Sequence, residues 1–334
     1  MKILIRLPNW LGDVVMSTAF VTSVKEIYPH ALVDVIIKKD FYNISKLISG
    51  LNVIHSFSKQ EYKGLYGVYR FGKKLRSEQY DLFFNLPTSL SSVVMGWATA
   101  AKKRIGFKGE GGAALLTNAY TKPGNVHRAD EYISLIERYT GKKITNRRVK
   151  LNIDEQGHLN KDTVLVNFNS EADSRRMPLV KSKAILNLLT NTFSNCTFTL
   201  IGAPKDRVFV DKVVDGATNI ERIENLAGKT DLNDLIKLMT GFAVLLTTDS
   251  GPAHLANAIG VPVVVLFGAG DERNTAPYNK QNLSVIRYGR LPCEPCVKNT
   301  CKLYGTPKCM ELLDELQIVN QLGQYLFSNS QLMS

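Results

Sequence analysis

One short polar segment, Thr247 to His254, has residue types and spacing that suit the binding of an anionic ligand. It follows the apolar run Ala243 to Leu246 and precedes a run that predicts a helix, Leu255 to Ile259. A strand, a polar turn with glycine and the start of a helix together build ligand sites in open α/β sheets. The free N–H groups and positive dipole end of such a helix favour phosphate. The candidate binding residues are Asp249, Ser250, Gly251 and His254.

Two side chains of this segment have further roles to weigh. Ser250 stands where its hydroxyl can cap the predicted helix. His254 lies one helical turn later and could donate a hydrogen bond to a phosphate or sugar oxygen. A single histidine in such a helix more often only packs, so its neighbours in the segment carry the argument for binding.

A carboxylate near the N-terminus is the second candidate. Asp13 follows the first predicted strand, stands beside Gly12 and begins a predicted helix. A carboxylate at that position could act as a general base. The alternative is an aspartate that only interacts with the helix dipole. The glycines of the G-x-G-x-x-G pattern are missing from this turn, which argues against a nicotinamide dehydrogenase.

Two adjacent arginines, Arg175 and Arg176, lie in the polar loop that follows the predicted strand 164–168. The same loop contains Asn169. Guanidinium groups suit a diphosphate, which they engage through several donors. An exposed basic loop without a ligand is the alternative. The sequence has no Asp-x-Asp motif of the kind that often holds a divalent ion on a diphosphate. This favours stabilisation of a leaving group by arginine and a helix dipole.

Two further loops connect predicted strands to helices in the same half of the chain. One contains Gly202 and Asp206, and the other contains Thr230. Loops at this position wall ligand pockets in open sheets, although each taken singly is more often only a connection.

Four of the five cysteines fall in one segment. They are Cys293, Cys296, Cys301 and Cys309. In a cytosolic chain this spacing suggests metal or redox chemistry before structural disulfides. The cluster could hold a structural Zn or Fe ion through thiolates, and free thiols are the alternative. Cys196 lies in an apolar run and is predicted to belong to the core.

The elements that must position these residues alternate between strand and helix. Predicted strands cover residues 2–7, 31–37, 53–57, 80–87, 104–107, 164–168, 196–201, 220–223, 244–246, 261–267 and 283–287. Predicted helices cover residues 12–28, 41–49, 64–78, 91–100, 129–139, 182–193, 207–214, 232–239, 255–259 and 311–327. This alternation predicts parallel sheets with right-handed crossovers. The polar stretch 142–161 interrupts it, so we expect one Rossmann-like domain at 1–160 and another at 161–334, facing each other across a cleft. The last helix could pack back on the first domain.

Charge is distributed unevenly over the 334 residues. Residues 1–160 hold 24 Lys and Arg against 13 Asp and Glu, and the rest hold 18 against 17. A basic first half predicts an anionic partner, with a solvated basic surface as the alternative. No aromatic–basic interleaving typical of single-strand binders is evident, so nucleic acid is not expected. Apolar runs are too short for a membrane span, and no signal peptide is evident, so we expect a cytoplasmic location.

Several motifs together resemble the bacterial ADP-heptose:lipopolysaccharide heptosyltransferases of glycosyltransferase family nine. The most specific matches are Leu226 to Thr230 and Thr248 to His254. The turn with Asp13, the segments Asn85 to Ser89 and Arg104 to Phe107, and the cysteine-rich tail add to the resemblance. It spans about residues 1–325.

This resemblance implies a GT-B fold and an inverting, metal-independent glycosyltransferase. Heptose would pass from ADP-heptose to the lipopolysaccharide inner core, with contact at the cytoplasmic face of the inner membrane. Asp13 would be the catalytic base. Acceptor contacts would come from Asn9, Thr88 and Ser89. Donor contacts would come from Asn169, Arg175, Arg176, Gly202, Asp206, Thr230, Asp249, Ser250, Gly251 and His254.

Two departures from the family pattern fall in the expected donor site. Phe168 to Ser170 replaces the usual Pro-Gly-Ala, and Met177 replaces the usual Trp. Another nucleotide sugar is therefore an alternative donor. A sugar-nucleotide epimerase of similar fold is an alternative enzyme class.

Overall fold

The computed structural model describes residues 1–153 and 159–327, and its contacts divide the chain into two compact units. The first is Met1–Asn152 and the second is Ile153–Ser334. The sequence pattern places this boundary later, at residue 160. Asn152 belongs to the first unit because its N–H donates to the carbonyl of Leu47 at 2.9 Å. Residues 154–158 of the predicted junction and the tail from 328 onward lie outside the described residues.

The first unit contains one six-stranded sheet. Its strands are β1 (Lys2–Arg6), β2 (Leu32–Lys38), β3 (Ile54–Phe57), β4 (Leu82–Asn85), β5 (Lys103–Phe107) and β6 (Asn118–Tyr120). Its helices are α1 (Leu11–Met16), α2 (Thr18–Ile27), α3 (Tyr42–Ser45), α4 (Gly64–Lys74), α5 (Leu90–Ala98) and α6 (Arg128–Thr140). All strand pairs are parallel, in the order β3-β2-β1-β4-β5-β6.

The strand order reverses between the central strands β1 and β4, so a topological switch point lies at their carboxyl ends. Ile3, Leu4 and Ile5 of β1 are fully buried, as expected for a strand covered on both faces. Arg6 at the end of β1 is in register with Asn85 at the end of β4. Ligands of open α/β sheets bind outside the carboxyl ends of strands at such a point.

Two details of the first unit differ from the sequence prediction. The helix predicted over 12–28 breaks at Ser17, whose hydroxyl donates to the carbonyl of Val14 at 2.7 Å. Serine competes for backbone hydrogen bonds in this way and divides the helix into α1 and α2. The short strand β6 was not predicted, because Asn118–Tyr120 is only three residues long and lacks a fully buried run.

The second unit repeats the same architecture. Its strands are β7 (Asn160–Asn167), β8 (Thr197–Leu200), β9 (Ile223–Asn225), β10 (Phe242–Thr248), β11 (Val263–Phe267) and β12 (Leu283–Arg287). Its helices are α7 (Leu179–Thr192), α8 (Arg207–Val214), α9 (Leu232–Met239), α10 (Gly251–Ala258), α11 (Glu272–Thr275), α12 (Lys308–Glu311) and α13 (Glu315–Phe327). The parallel order is β12-β11-β10-β7-β8-β9, so the switch point lies between β7 and β10.

The edge strand β9 and the last helix of the second unit bear on two expectations. The predicted strand 220–223 is mostly a 3₁₀ turn, and β9 begins only at Ile223. The last helix, α13, contacts α7, β10, β11 and β12. Its apolar residues Ile318 and Leu322 are fully buried in the core of the second unit. The apolar face of this helix therefore packs within the second unit. That the helix also packs back on the first domain stays a prediction.

Candidate active site

Asp13 lies in the first turn of α1, directly beyond the switch point of the first sheet. Its side chain is about a quarter exposed, and its Oδ1 lies 3.7 Å from Nε of Arg128 in α6. The hydroxyl of Tyr132, one turn further along α6, donates to the same carboxylate. The helix that follows β1 and the last helix of the unit therefore hold this carboxylate jointly.

Burial raises the pKa of Asp13 above its usual range, and the neighbouring carboxylate of Glu131 raises it further. The positive charge of Arg128 and the Tyr132 hydrogen bond act in the opposite direction. A carboxylate with a raised pKa binds a proton more readily than an exposed one, which suits a general base.

The basic and acidic residues around Asp13 were not predicted from the sequence. Arg128 donates to both carboxylate oxygens of Glu131 at 2.9 Å, and Nζ of Lys122 lies 2.9 Å from the same group. Glu131 is 6% exposed. The sequence shows only that the predicted helix 129–139 contains several charged residues, and this does not reveal which strand end the helix meets.

The three predicted acceptor residues lie at or near the same edge of the first sheet. Asn9 follows β1 and accepts a hydrogen bond from Arg6 at 2.5 Å. Thr88 and Ser89 follow β4, and Ser89 caps α5 by accepting from the N–H of Ser92 at 3.4 Å. All three residues are partly buried, so each has side-chain surface toward solvent.

Asp249 and Arg175 form the charged centre of the second unit. Asp249 follows β10 at the switch point, and its Oδ2 lies 3.3 Å from Nη1 of Arg175. The carboxylate is almost entirely buried, whereas the arginine is 28% exposed. Burial raises the pKa of Asp249 to about 6, while Arg175 and Arg287 hold it down.

A glycine makes room for this carboxylate. A Cβ on Gly270 would lie 2.2 Å from Oδ2 of Asp249, closer than any real contact. Arg287 of β12 donates to the carbonyl of Gly268 at 2.9 Å and also to that of Gly270. The loop after β11 is thereby fixed against Asp249. Neither Gly270 nor Arg287 belongs to a motif predicted from the sequence.

Arg176 differs from Arg175 in its contacts. Its guanidinium donates to Asp206 at 2.7 Å and to the carbonyl of Ser170 at 3.2 Å, and it lies over the ring of Phe209. Asp206 is buried and also accepts from the N–H of Ala203. Arg176 and Asp206 therefore hold two loops together, which leaves Arg175 as the arginine available to a ligand.

Hydrogen bonds between buried polar side chains fix the end of β7 against β10. Asn167 is in register with Thr247, and its amide donates to the Thr247 hydroxyl at 3.0 Å and to that of Ser250 at 3.0 Å. Asn169 donates to the carbonyl of Ile201 and accepts at its own carbonyl from Thr248. Asn169 thus connects the loop after β7 with β10 and with the residue that follows β8.

Ser250 occupies the N-cap position of α10, but its side chain makes no capping hydrogen bond. It donates instead to the carbonyl of Thr248 at 3.1 Å. The prediction that its hydroxyl caps this helix was therefore wrong, because the Asn167 network occupies that hydroxyl. The first turn of α10 holds Gly251 and the buried His254.

The two remaining predicted loops lie beside this network. A Cβ on Gly202 would lie 2.8 Å from the amide nitrogen of Asn169, so only glycine fits there without a shift. Thr230 directly precedes Asp231, which caps α9 by accepting from the N–H groups of Asn233 and Asp234. Both loops follow strands of the second sheet, as predicted.

The altered residues of the family pattern lie in the core. Phe168 and Met177 are 2% and 1% exposed, and the N–H of Met177 donates to the carbonyl of Phe168 at 3.0 Å. Their side chains pack in the hydrophobic core of the second unit. The departures thus change packing behind the loop that carries Arg175.

The cysteine-rich segment contacts this same loop. The N–H of Ser174 donates to the carbonyl of Asn299 at 3.1 Å, and its hydroxyl donates to that of Lys298. The N–H of Val297 donates to Ala269 in the loop beside Asp249 at 2.8 Å. The segment therefore links the turn that carries Arg175 to the loop after β11.

All four clustered cysteines are reduced and line one small cavity of about 20 Å³. Burial raises the pKa of Cys309 to about 11. Within residues 1–153 and 159–327, no three His, Cys, Asp or Glu side chains are arranged to hold a metal ion. The same part of the chain contains no helix long and apolar enough to cross a membrane.

The known proteins that this chain is similar to include several heptosyltransferases. Haemophilus influenzae lipopolysaccharide core heptosyltransferase OpsX is 24% identical over 94% of this chain and 93% of its own. Haemophilus ducreyi lipooligosaccharide heptosyltransferase 2 is 27% identical over 84% of this chain and 87% of its own. The structure of E. coli ADP-heptose lipopolysaccharide heptosyltransferase II matches with a TM-score of 0.81 at 21% identity, covering 99% and 100% of the two chains.

These matches confirm the predicted GT-B type of α/β fold. The sequence profile described as glycosyltransferase family 9 (heptosyltransferase) matches residues 68–306, from α4 in the first unit to the cysteine-rich segment in the second. A glycosyltransferase is thereby favoured over the epimerase alternative. The chain belongs to glycosyltransferase family 9.

Proposed function

We propose that this glycosyltransferase moves heptose from ADP-heptose to the inner core of a lipopolysaccharide acceptor, with inversion at the anomeric carbon. Family membership and the heptosyltransferase relatives support the reaction class. The observation that carries the proposal in this chain is the partly buried Asp13 at the first switch point, because its raised pKa suits a base.

Asp13 takes the proton of the acceptor hydroxyl. As that proton moves to the carboxylate, the hydroxyl oxygen forms a bond to the anomeric carbon of the donor. The bond between this carbon and the phosphate oxygen breaks, and ADP leaves with the electron pair. Asn9, Thr88 and Ser89 orient the acceptor from the loops after β1 and β4. The positive charge of Arg128 lowers the pKa of Asp13 and so favours the ionised carboxylate that a base requires.

The second unit binds the donor. Arg175 and the free N–H groups at the start of α10, including that of Gly251, receive the diphosphate and stabilise the charge of departing ADP. Asp249 accepts hydrogen bonds from sugar hydroxyls, and His254 donates to a diphosphate oxygen. The loops with Gly202 and Thr230 contact the nucleoside, and Arg176 with Asp206 holds these loops in place. The chemistry proposed uses no cofactor.

The acceptor implies a location. We propose a cytoplasmic enzyme that contacts the cytoplasmic face of the inner membrane peripherally, without nucleic acid as a partner. An anionic lipid-linked acceptor suits the first unit, which holds most of the excess positive charge.

The test is a transfer assay read by mass spectrometry. Purified protein is incubated with ADP-heptose and with lipopolysaccharide truncated before its first and before its second heptose, and ADP-glucose and UDP-glucose serve as alternative donors. A mass increase of one heptose with release of ADP is expected from ADP-heptose alone. Transfer only from another nucleotide sugar would replace the donor assignment. Hydrolysis or epimerisation without transfer would overturn the proposal.

The four cysteines support a separate proposal of a structural Zn or Fe ion. All four line one cavity, which is the observation in its favour. Their described positions do not form a complete ligand set, and thiolate ligands would require Cys309 to lose its proton. Elemental analysis of protein purified without chelator should give one equivalent of metal, and Cys293→Ser with Cys296→Ser should abolish it. A metal-free native protein would leave the cavity as a cluster of free thiols.

A further inference from the structure

Helices α4 and α5 of the first unit expose several large side chains close together. Tyr66 is 74% exposed, Leu65 is 49% exposed and Trp97 is 46% exposed. Single exposed apolar residues are ordinary, but contiguous groups of them mark interaction surfaces.

One glycine, Gly72, lets the two helices lie close enough to make one surface. A Cβ on Gly72 would lie 2.3 Å from the carbonyl oxygen of Met95 and 2.8 Å from Cβ of Ala98. The absence of a side chain at Gly72 lets α4 approach α5 closely at this crossing. The rings of Tyr69 in α4 and Trp97 in α5 then lie 5.8 Å apart.

The buried residues of α4 show which side of the helix faces the core and which side faces outward. Val68, Phe71 and Leu75 are buried in a core cluster of the first unit. Five exposed or half-buried side chains of α4, spaced by three and four residues, share the opposite side of the helix. Together with Trp97, they form what we name the α4–α5 face, which consists of Leu65, Tyr66, Tyr69, Arg70, Lys73 and Trp97.

This face is positively charged. Helix α4 contains Arg70, Lys73 and Lys74 and no carboxylate. The acidic residues nearest to α4 in sequence are Glu61 and Glu78. Each forms an ion pair with a lysine from elsewhere in the unit. Among the described residues Arg70 and Lys73 form no ion pair, and Arg70 lies 6.0 Å over the ring of Tyr66. The charge of the face is therefore available to an external anion.

We propose that the α4–α5 face docks on an anionic lipid bilayer. Tyrosine and tryptophan rings favour the headgroup level of a membrane, and arginine and lysine on an amphipathic helix attract anionic lipids. A face without carboxylates matches a surface of negative headgroups better than it matches a second copy of this basic protein. The inference rests on the proposed peripheral membrane contact and identifies the surface that makes it.

The test measures binding of the whole protein to vesicles by co-sedimentation. Vesicles of phosphatidylcholine are compared with vesicles that also contain phosphatidylglycerol. One variant combines Tyr66→Ser with Trp97→Ser, and another combines Arg70→Gln with Lys73→Gln. The matched control, Val208→Ser with Lys212→Gln, removes an exposed apolar residue and an exposed lysine from α8.

The native protein and the control should bind the anionic vesicles, and each α4–α5 variant should bind about tenfold more weakly. Equal binding by all four proteins would overturn the assignment. Loss of self-association in the variants, with no vesicle binding by the native protein, would also overturn it and identify a protein interface.

A second assay separates this inference from the proposed function. Sugar transfer to a delipidated core oligosaccharide needs no membrane, so the α4–α5 variants should retain native rates there. If the native protein transfers no heptose but binds vesicles through this face, the proposed reaction fails and the docking surface stands. If the variants lose transfer to the soluble acceptor, the face binds the acceptor, and the proposal that it docks on a bilayer is wrong.

Discussion

Arg175 and Asp249 form an ion pair of unequal exposure, with 3.3 Å between Nη1 and Oδ2. The carboxylate is 4% exposed and packs against the loop after β11, whereas the arginine is 28% exposed and lies in a turn after β7. The anchored partner is therefore the acid. The arginine can exchange part of this interaction for a bound anion without leaving the site.

Arg175→Ala should weaken ADP binding about ten- to a hundredfold, since hydrogen bonds to charged groups contribute about 1.5–3 kcal/mol. Isothermal titration calorimetry measures the change. Arg176→Ala is the matched control, because its guanidinium pairs with Asp206. The control should lower the melting temperature more than Arg175→Ala does. Equal loss of ADP affinity in both variants would contradict the assignment of the diphosphate to Arg175.

Asp249→Asn should stabilise the protein above pH 6 and have little effect near pH 4. Burial raises the pKa of Asp249 to about 6 from 3.8, so the ionised group costs folding free energy at high pH. This cost disappears as the pH falls through 6 toward 3.8, because the folded state then takes up a proton. The gain is at most about 3 kcal/mol. Urea unfolding at several pH values measures it, and a pH-independent difference would contradict the raised pKa.

The sequence predicted that Asp249 and Arg175 lie close together at strand ends of the second sheet, and the reason is topology. Asp249 and Arg175 each follow a strand, and parallel strands bring their carboxyl ends to one edge. The partners of each side chain could not be predicted in the same way. Arg176 is adjacent to Arg175 in sequence and has the same chemistry, but its direction depends on Asp206, thirty residues later.

The first site shows the same limit more strongly. Asp13 was identified because it follows β1 and begins a helix. Arg128 and Tyr132 come from α6, and nothing in the sequence shows that this helix meets α1. Ser17 also breaks a predicted helix through a local hydrogen bond, which a periodic pattern does not reveal. The alternation of strands and helices predicts at which end of the sheet a polar residue such as Asp13 lies. The packing of α6 against α1 sets the pKa of that residue, and the sequence pattern does not show this packing.

Arg128→Gln should move the acid limb of the pH–rate profile to higher pH. A general base acts in its ionised form, and Arg128 lowers the pKa of Asp13. Without this charge, Asp13 stays protonated to higher pH, so transfer at low pH falls. Arg138→Gln, on the same helix but bonded to the carbonyl of Thr121, is the control and should leave the profile unchanged.

The variant Asp13→Asn tests whether the pH–rate profile of sugar transfer depends on Asp13. It should reduce transfer about a hundredfold to ten-thousandfold while ADP binding remains, which is the usual contribution of a general base. Near-normal turnover in Asp13→Asn would remove the base assignment. An identical shift of the profile in Arg128→Gln and Arg138→Gln would show that the shift does not report on Asp13.

Gly270→Ala should destabilise the second unit by about 1–3 kcal/mol, the usual cost of overpacking. Its new Cβ would lie 2.2 Å from Oδ2 of Asp249 and must displace either the carboxylate or the loop. Gly124→Ala is the control, because nothing lies within 4 Å of its Cβ position. Urea unfolding measures both, and equal stability of the two variants would show that the loop yields at no cost.

Ser174→Ala should weaken ADP binding about fivefold through its effect on Arg175. The Ser174 hydroxyl donates to the carbonyl of Lys298 and so ties the turn before Arg175 to the cysteine-rich segment. Loss of one such hydrogen bond is worth about 1 kcal/mol, and the freed turn must be ordered when ADP binds. Calorimetry with ADP measures the loss.

The matched control for Ser174→Ala is Ser182→Ala. Ser182 is also a buried serine, and its hydroxyl donates to the carbonyl of Pro178 at 3.0 Å within α7. Both variants lose one hydrogen bond to a backbone carbonyl, but only Ser174 adjoins Arg175. The double variant Ser174→Ala with Arg175→Ala should bind ADP no more weakly than Arg175→Ala alone, because the serine acts only through the arginine. Additive losses in the double variant would show that Ser174 affects ADP binding by another route.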